Sequence, residues 1–253
     1  MQRILPSFDQ LPRPVFPRAE SLRDISWTDL HSHAWAQLSY AVTGIVSAHT
    51  PQGNFVAPPQ RALWIPANTP HTVTTSAQAE LRTLYLDASV TPWAKPRCRV
   101  LEISPLAREL IRAVAALPPH FEDNGPDGRL VTVLLDQLAA LPEVELSLPL
   151  PVSPRLQGLC AALQRQPSDK RTLAALAKEA GASERTVARE FARETGLTFR
   201  QWRMRSRLLL SLTALEQGES VTAVALDYGY DSPSAFIAAF RRLFGKTPGE
   251  FFP

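Results

Sequence analysis

Proline is distributed very unevenly along this chain: nineteen of its 23 prolines lie at or before position 154, and four lie beyond it. Proline is excluded from helix interiors and is confined in sheets to edges, turns and loops. We therefore expect turn-rich β structure in the first part and helices in the last part. Pro149, Pro151 and Pro154 predict an extended, semi-rigid linker over 146–154. The expected arrangement is an α+β chain with domains at 1–145 and 155–253.

The first part contains short runs rich in Val, Thr, Leu and aromatic residues, separated by turn residues. They predict strands at 37–43, 45–50, 61–65, 71–75 and 80–86, and strands at such spacing are typical of a β-barrel or sandwich. Apolar residues then recur at helical spacing over 106–117 and 130–138, which predicts two flanking amphipathic helices. These helices either cover the barrel or pair with a second subunit; the segment 129–141 is the candidate interface of a homodimer.

Charge and cysteine content narrow the class of protein. Residues 153–253 contain 15 Lys and Arg against 10 Asp and Glu, whereas residues 1–152 contain 12 against 14. A basic C-terminal part favours a polyanionic partner, because binding phosphates releases their counterions. Two cysteines cannot form a disulfide framework, and neither a targeting peptide nor an apolar run of about 20 residues is evident. We expect a cytoplasmic protein that does not enter a membrane.

The C-terminal part contains two predicted helix-turn-helix units. In the first, Thr172 caps a helix over 173–180, Gly181 allows a sharp turn, and Ser183 caps a helix over 184–194 that buries Val187 and Phe191. The second has the same order of features: a helix over 222–227, Gly229 at the turn, Ser232 as cap, Pro233 in the first turn, and a helix to 243 that buries Phe236 and Phe240.

A third helix joins the two units. Thr198 is expected to begin it, and at 1.5 Å per residue a run to Glu216 is about 28 Å long. Neighbouring major-groove segments on one face of B-DNA are about 34 Å apart. A rigid connector of this length would place the second helix of each unit in the major groove, so the partner predicted here is double-stranded DNA.

The segment 172–251 resembles the DNA-binding domain of the AraC/XylS transcription regulators. The resemblance is most specific over 225–232, at Phe236 and Phe240, and over 244–251. It implies that the second helix of each unit contacts bases. The implied residues are Arg185, Ala188 and Arg189 in the first unit and Pro233, Ser234, Ala235 and Ala238 in the second.

The second helices of the two helix-turn-helix units carry different side chains, which predict different roles in DNA binding. Arginine pairs bidentately with guanine, so Arg185 and Arg189, one turn apart, are the expected base readers. The small groups of the second helix predict anchoring rather than discrimination. The remaining basic side chains are predicted as phosphate contacts, with solvated charge as the alternative for each: Arg200, Arg203, Arg205, Arg207, Arg241, Arg242 and Lys246.

Histidines mark a second candidate site in the first part. On an extended strand His31, His33 and Gln37 point to the same face. Their spacing, with Gly44 and with Pro66, Asn68 and His71, resembles the two motifs of the cupin β-barrel, which place three histidines and a glutamate on a metal. Gln37 stands in place of the carboxylate, and Asn68 stands where glycine is common. Three imidazoles and a glutamine amide would suit Zn, Ni, Cu or Fe; the alternative is a polar pocket without metal.

Trp35, Tyr40, Arg61 and Trp64 are further candidates for an effector pocket, with filling of the core as the alternative for the aromatic side chains. The sequence thus predicts a regulator with an N-terminal cupin-like sensor for a small molecule or metal, and not an enzyme. RNA polymerase would be a further partner if the regulator is an activator. The alternative is a metal-dependent cupin enzyme with a helical appendage, which would use the same histidines.

Overall fold

The computed structural model describes residues 1–5, 8, 10–118 and 120–252. The chain forms two compact units, Met1–Ser147 and Leu148–Pro253. The N-terminal unit is built on antiparallel β-sheet and the C-terminal unit is helical, as the proline distribution predicts. Within the part of the chain that the structure describes, no helix is long and apolar enough to span a membrane.

The strands of the N-terminal unit form two antiparallel sheets. The bounds are β1 Val15–Leu22, β2 Ser26–Trp27, β3 Ala36–Thr43, β4 Val46–Thr50, β5 Gly53–Ala57, β6 Arg61–Ile65, β7 Thr72–Thr75, β8 Ala79–Leu86, β9 Arg99–Glu102, β10 Glu143–Val144 and β11 Ser147–Pro149. The first sheet has the order β1-β8-β3-β6-β9-β10. The second has the order β5-β4-β7-β2 within this unit, and β11 spans the boundary between the two units.

Two helices cover the outer face of the first sheet: α1 Pro105–Ala115 and α2 Pro126–Ala139. Tyr40 and Trp64 from the sheet lie in one buried cluster with Ile111 of α1 and Leu134 of α2. The apolar side of α2 therefore packs on the core of its own chain. Of the two alternatives for these helices, this is the one in which they cover the barrel. A short 3-10 helix, Ala88–Val90, follows β8.

The predicted strands match β3, β4, β6, β7 and β8 to within one residue at each end. Strands β1, β2, β5 and β9 were not predicted. β1 contains Pro17, and it lies at the edge of the first sheet, where a missing N–H is tolerated.

The C-terminal unit contains α3 Pro154–Arg165, α4 Leu173–Glu179, α5 Glu184–Thr195, α6 Phe199–Glu216, α7 Val221–Asp227, α8 Pro233–Phe244 and α9 Pro248–Phe251. The side chains of Thr172, Ser183, Thr198 and Ser232 each accept a backbone N–H at the start of a helix, as predicted. α7 begins one residue earlier than predicted because Ser220 caps it. Val187, Phe191, Phe236 and Phe240 are fully buried, so both predicted hydrophobic faces are confirmed.

The segment 146–154 has structure of its own. It includes β11, and Pro154 is the first residue of α3. The indole N–H of Trp202 on α6 donates to the Pro149 carbonyl at 2.8 Å. The Glu194 carboxylate on α5 accepts the N–H groups of Val152 and Ser153, each at 2.9 Å. The residues from 149 to 153 are therefore attached to the helical unit.

Candidate functional site

The second helix of the first helix-turn-helix unit, α5, has one buried and one exposed side. Val187 and Phe191 face the core, and Phe191 packs edge to face on Phe199 and Trp202 at 5.7 Å. Arg185 and Arg189 lie on the opposite side and are exposed. Within the described chain neither guanidinium takes part in an ion pair. Both are therefore available to a partner, with the partly exposed Ala188 between them.

The corresponding helix of the second unit, α8, exposes small side chains. Ser234, Ala235 and Ala238 are exposed and Pro233 is partly exposed. A surface groove beside them is lined by Ser234, Ile237, Ala238, Arg241, Arg242 and Thr247. Arg241 and Arg242 are exposed in the last turn, where their charge suits the helix C-terminus. In this unit positive charge lies at one end of the helix rather than along its exposed side.

In the N-terminal unit, backbone pairing brings three histidines together. His31 and His71 form an antiparallel bridge through N–H to carbonyl bonds of 3.1 and 2.9 Å. Asn68 donates its N–H to the His33 carbonyl at 2.7 Å. Asn68 has a φ of 59°, a left-handed conformation that asparagine adopts more readily than most residues. This explains how asparagine serves where the cupin motif commonly has glycine.

All three imidazoles have the same hydrogen bond at Nδ1. His31 Nδ1 bonds to the Asp29 carbonyl at 2.8 Å, His33 Nδ1 to the Trp35 carbonyl at 2.7 Å, and His71 Nδ1 to the Thr69 carbonyl at 2.7 Å. A carbonyl only accepts, so Nδ1 carries the proton in each ring. Nε2 of His31 and of His71 therefore keeps a free lone pair, whereas His33 Nε2 faces the amide oxygen of Gln37. In metal sites, a hydrogen bond from one ring nitrogen to a carbonyl orients the histidine so that the other nitrogen can bind the metal.

The three rings lie close together, with His71 buried and His31 and His33 partly buried. One ring nitrogen of each histidine lies within 4.8 Å of those of the other two. Nε2 of His31 and of His71 is buried without a hydrogen-bond partner among the described residues. Burial lowers the pKa of His71 to about 4 and also lowers that of His31. At neutral pH both rings are uncharged, the form that binds a metal, so the donor set fits a divalent transition metal.

Gln37 lies beside this cluster. Its amide oxygen lies 3.0 Å from His33 Nε2, and its amide NH2 group donates to Ser39 Oγ at 2.8 Å, which fixes the side chain between the strand and the ring. The indole of Trp35 stacks on His33 with ring centroids 5.2 Å apart and planes inclined by 4°. Tyr85 meets the edge of the same ring at 5.9 Å. Trp35 is therefore next to the histidines, as predicted.

Comparison with known proteins identifies both units. Residues 20–139 match the family model of the AraC-like ligand binding domain, and residues 176–253 match that of a helix-turn-helix domain. The chain is 35% identical over 222 residues to the HTH-type transcriptional regulator NimR of Escherichia coli. The aligned region covers 88% of this chain and 81% of NimR. The chain belongs to the AraC family of transcription regulators.

A second relative and one solved structure show weaker similarity to this chain. The HTH-type transcriptional regulator RipA of Corynebacterium glutamicum is 33% identical over 103 residues, or 41% of this chain and 31% of RipA. The crystal structure of ToxT from Vibrio cholerae aligns over 94% of this chain and 97% of ToxT, with a TM-score of 0.40 and 12% identity. NimR and RipA are both named as HTH-type transcriptional regulators, so this AraC-family chain is a DNA-binding transcription regulator, and nothing in these comparisons supports the cupin-enzyme alternative.

Three of the predicted pocket residues of this AraC-family chain do not adjoin the histidines. Tyr40 pairs with Ala62 and lies in the cluster beneath α1 and α2, as does Trp64. These two side chains therefore fill the core on the opposite face of the sheet from Gln37. Arg61 pairs with Glu102 at 3.0 Å. Tyr85 was not predicted, although it stands directly opposite Gln37 in the β3–β8 register; alternation along β8 places it on the inner face.

Two predicted phosphate contacts have another role. Arg203 and Arg207 on α6 are partly buried, and their guanidinium groups donate to backbone carbonyls of the C-terminal unit. Neither is a solvated charge. Arg200 and Lys246 are exposed, whereas Arg205 is partly buried. Arg242 extends to the sulfur of Met204 at 2.8 Å.

Proposed function

We propose that this AraC-family regulator recognises its operator chiefly through α5, and that α8 anchors the protein beside it. One observation carries the proposal: Arg185 and Arg189 are exposed, one turn apart, and free of ion pairs within the described residues. A bidentate arginine–guanine contact discriminates by about 1–3 kcal/mol. The exposed groups of α8, Ser234, Ala235 and Ala238, offer weaker discrimination.

The test of this proposal is selection of bound DNA from a random pool, followed by affinity measurements over all single-base variants of the selected site. Arg189→Ala is expected to weaken the selected site by about 5- to 150-fold and to relax preference at one position. Arg193→Ala, on the same helix and paired with Glu194 at 3.2 Å, is the matched control and keeps every preference. Equal weakening of all sequences by Arg189→Ala would refute the assignment.

We further propose that a divalent transition metal is the effector, or part of it, held by His31, His33 and His71 with Gln37 as a weak fourth ligand. Support comes from the closeness of the three rings, each with one nitrogen within 4.8 Å of the others, and from the unpartnered Nε2 atoms of His31 and His71. A metal would take the place of the contact between His33 Nε2 and the Gln37 amide oxygen. Metal binding would bias the DNA-binding state by a coupling free energy between the two sites. Zn, Ni, Cu and Fe all suit three imidazoles.

Elemental analysis of protein purified without a polyhistidine tag tests this site. About one equivalent of metal is expected in the wild type and a substoichiometric amount in His33→Ala. His49→Ala is the matched control, because His49 is exposed on β4 and bonds to Asn54. Metal content that is equal in all three proteins, or absent from the wild type after reconstitution, would leave a metal-free effector pocket.

A homodimer remains a prediction. The buried side of α2 contacts its own core, so a second subunit would have to use the outer side, where Val133 is exposed. Sedimentation of the full chain with Val133→Glu would show whether this side contributes to association. We propose RNA polymerase as a further partner if operator binding activates transcription.

A further inference from the structure

A single arginine connects the two helix-turn-helix units. Arg207 on α6 donates from Nε to the Pro167 carbonyl at 2.7 Å and from Nη2 to the Asp169 carbonyl at 2.8 Å. Both carbonyls lie in the loop just before α4, which is the first helix of the first helix-turn-helix unit. Its third donor, Nη1, bonds to the Gly229 carbonyl at 3.0 Å, in the turn of the second unit. One planar group thus binds three backbone positions from both units.

The same two segments also contact each other directly. Lys170 forms an ion pair with Asp231 at 2.6 Å. Gly229 has a φ of 79°, and a Cβ on it would lie 2.9 Å from Ser168 Cα and 2.7 Å from Arg207 Nη2. The turn at Gly229 therefore packs so closely on the loop at Ser168 that no side chain fits at position 229. We define the junction as the loop 167–171, Arg207 and the turn 229–231.

Arg203 forms further hydrogen bonds to the loop 167–171 of the junction. One turn before Arg207 on α6, it donates to the carbonyls of Arg171, at 2.6 Å, and Asp169. Because α5 follows the loop through α4, and α8 follows Gly229 through its turn, the junction constrains the positions of both helices that face DNA. α6 alone, about 27 Å long for its 18 residues, would fix only their approximate separation.

We propose that Arg207 is a specificity-determining residue that acts on operator spacing: by locking the two units together it makes the regulator selective for the distance and phase between two DNA subsites. Arg207 acts as a positioning residue, since each of its three guanidinium nitrogens donates to a carbonyl within the protein. The proposal rests on the proposed function, in which α5 and α8 both contact DNA. Lysine cannot replace Arg207, because a single ammonium lacks the planar fork that reaches three carbonyls.

The experiment uses the full chain and the DNA site selected from a random pool. One to five base pairs are inserted between the two subsites, and affinity is measured for wild type, Arg207→Ala, Arg207→Lys and Arg165→Ala. Arg165 is an exposed arginine on α3 outside the junction, so its variant is the matched control. A half-site containing only the first subsite measures α5 binding alone, and circular dichroism monitors folding.

Wild type and Arg165→Ala are expected to lose about tenfold or more in affinity with two inserted base pairs, since the contacts through which α8 anchors the protein to its subsite are lost together. Arg207→Ala is expected to bind the original site less tightly and to vary less than about threefold over the series, with half-site affinity unchanged; Arg207→Lys lies between. If Arg207→Ala fails to fold, Lys170→Ala replaces it, and a flattened profile is again expected.

A folded Arg207→Ala protein with the wild-type spacing profile would overturn the proposal. Wild-type protein that tolerates every insertion would also overturn it, and comparison with the half-site then identifies the cause. If the half-site binds more weakly than the full site, α8 contacts DNA and only the rigid junction is wrong. If the two bind equally, the contact of α8 with DNA is wrong as well.

Discussion

Glu194, in the last turn of α5, stabilises the segment that leads into α3. Its Oε2 accepts the N–H groups of Val152 and Ser153, each at 2.9 Å, and the Ser153 side chain makes no cap bond of its own. Hydrogen bonds to charged groups contribute about 1.5–3 kcal/mol, and neutral ones about 0.5–1.5 kcal/mol. We therefore expect Glu194→Gln to destabilise this segment locally by about 1 kcal/mol and Glu194→Ala by about 2 kcal/mol.

Amide hydrogen exchange at Val152 and Ser153 measures this local free energy. Exchange is expected to accelerate about fivefold in Glu194→Gln and about thirtyfold in Glu194→Ala at pH 7. Glu184→Gln, at the exposed first residue of α5, is the matched control and leaves both amides protected. Unchanged exchange in Glu194→Ala would refute the assignment of these hydrogen bonds.

The pH dependence of this effect has a definite sign. The Ser153 N–H bond holds the pKa of Glu194 below its ordinary value. A carboxyl whose folded pKa is lowered stabilises the native state above its unfolded pKa, and this contribution disappears as the pH falls through the folded pKa. The difference between wild type and Glu194→Gln should therefore be full at pH 7 and vanish in acid.

Three further predictions concern the core and the thiols. Phe191→Ala, at a fully buried ring, should cost about 3–5 kcal/mol in chemical denaturation, and a loss below about 1 kcal/mol would contradict the packing described. Gly44→Ala should lower the melting temperature, because Gly44 has a φ of 82° and the added Cβ would lie 2.8 Å from Ala79, whereas Gly158→Ala, in open space on α3, should raise it slightly. Burial raises the pKa of Cys98 to about 11 and of Cys160 to about 12, so thiol reagents should label neither until the chain unfolds; rapid labelling of folded protein would contradict their burial.

The C-terminal unit was predicted well because its signals are local. Thr172, Ser183 and Ser232 each accept a backbone N–H three residues ahead, and a capping residue and the helix that follows it are adjacent in the sequence. Gly181 and Gly229 take the positive φ that their turns require. No long-range information is needed to place these features, and this explains why the sequence predicts both units.

The N-terminal site was predicted only where strand alternation decides it. Alternation places His33, Trp35 and Gln37 on one face, and the structure confirms that these three side chains adjoin. It does not say which face of the sheet the helices cover. Tyr40 and Trp64 are consequently core residues beneath α1 and α2, a result that depends on packing between distant segments.

The roles of the arginines on α6 also depend on packing between distant segments and could not be predicted from the sequence. Periodicity along a helix does not reveal that Arg203 and Arg207 meet backbone carbonyls from the loop 167–171 and from Gly229. On a basic helix in a DNA-binding unit both residues are easily mistaken for phosphate contacts. Only the folded arrangement of the loop and the turn distinguishes an internal donor from an external one.

The distinction between internal and external donors shows which positive charges of the C-terminal part are available to DNA. Several of its cations are engaged within the protein: Arg155 with Glu190, Lys170 with Asp231, Arg171 with Asp169 and Glu179, and Arg203 and Arg207 with carbonyls. Exposed cations without an ion pair in the described chain include Arg185 and Arg189 on α5, Arg200 at the start of α6, and Arg241 and Lys246 at the end of α8. The net charge therefore understates how unevenly the available charge is placed. Because counterion release follows the cations that reach phosphates, the free charge around α5 and at the end of α8, rather than the total, should determine the salt dependence of operator binding.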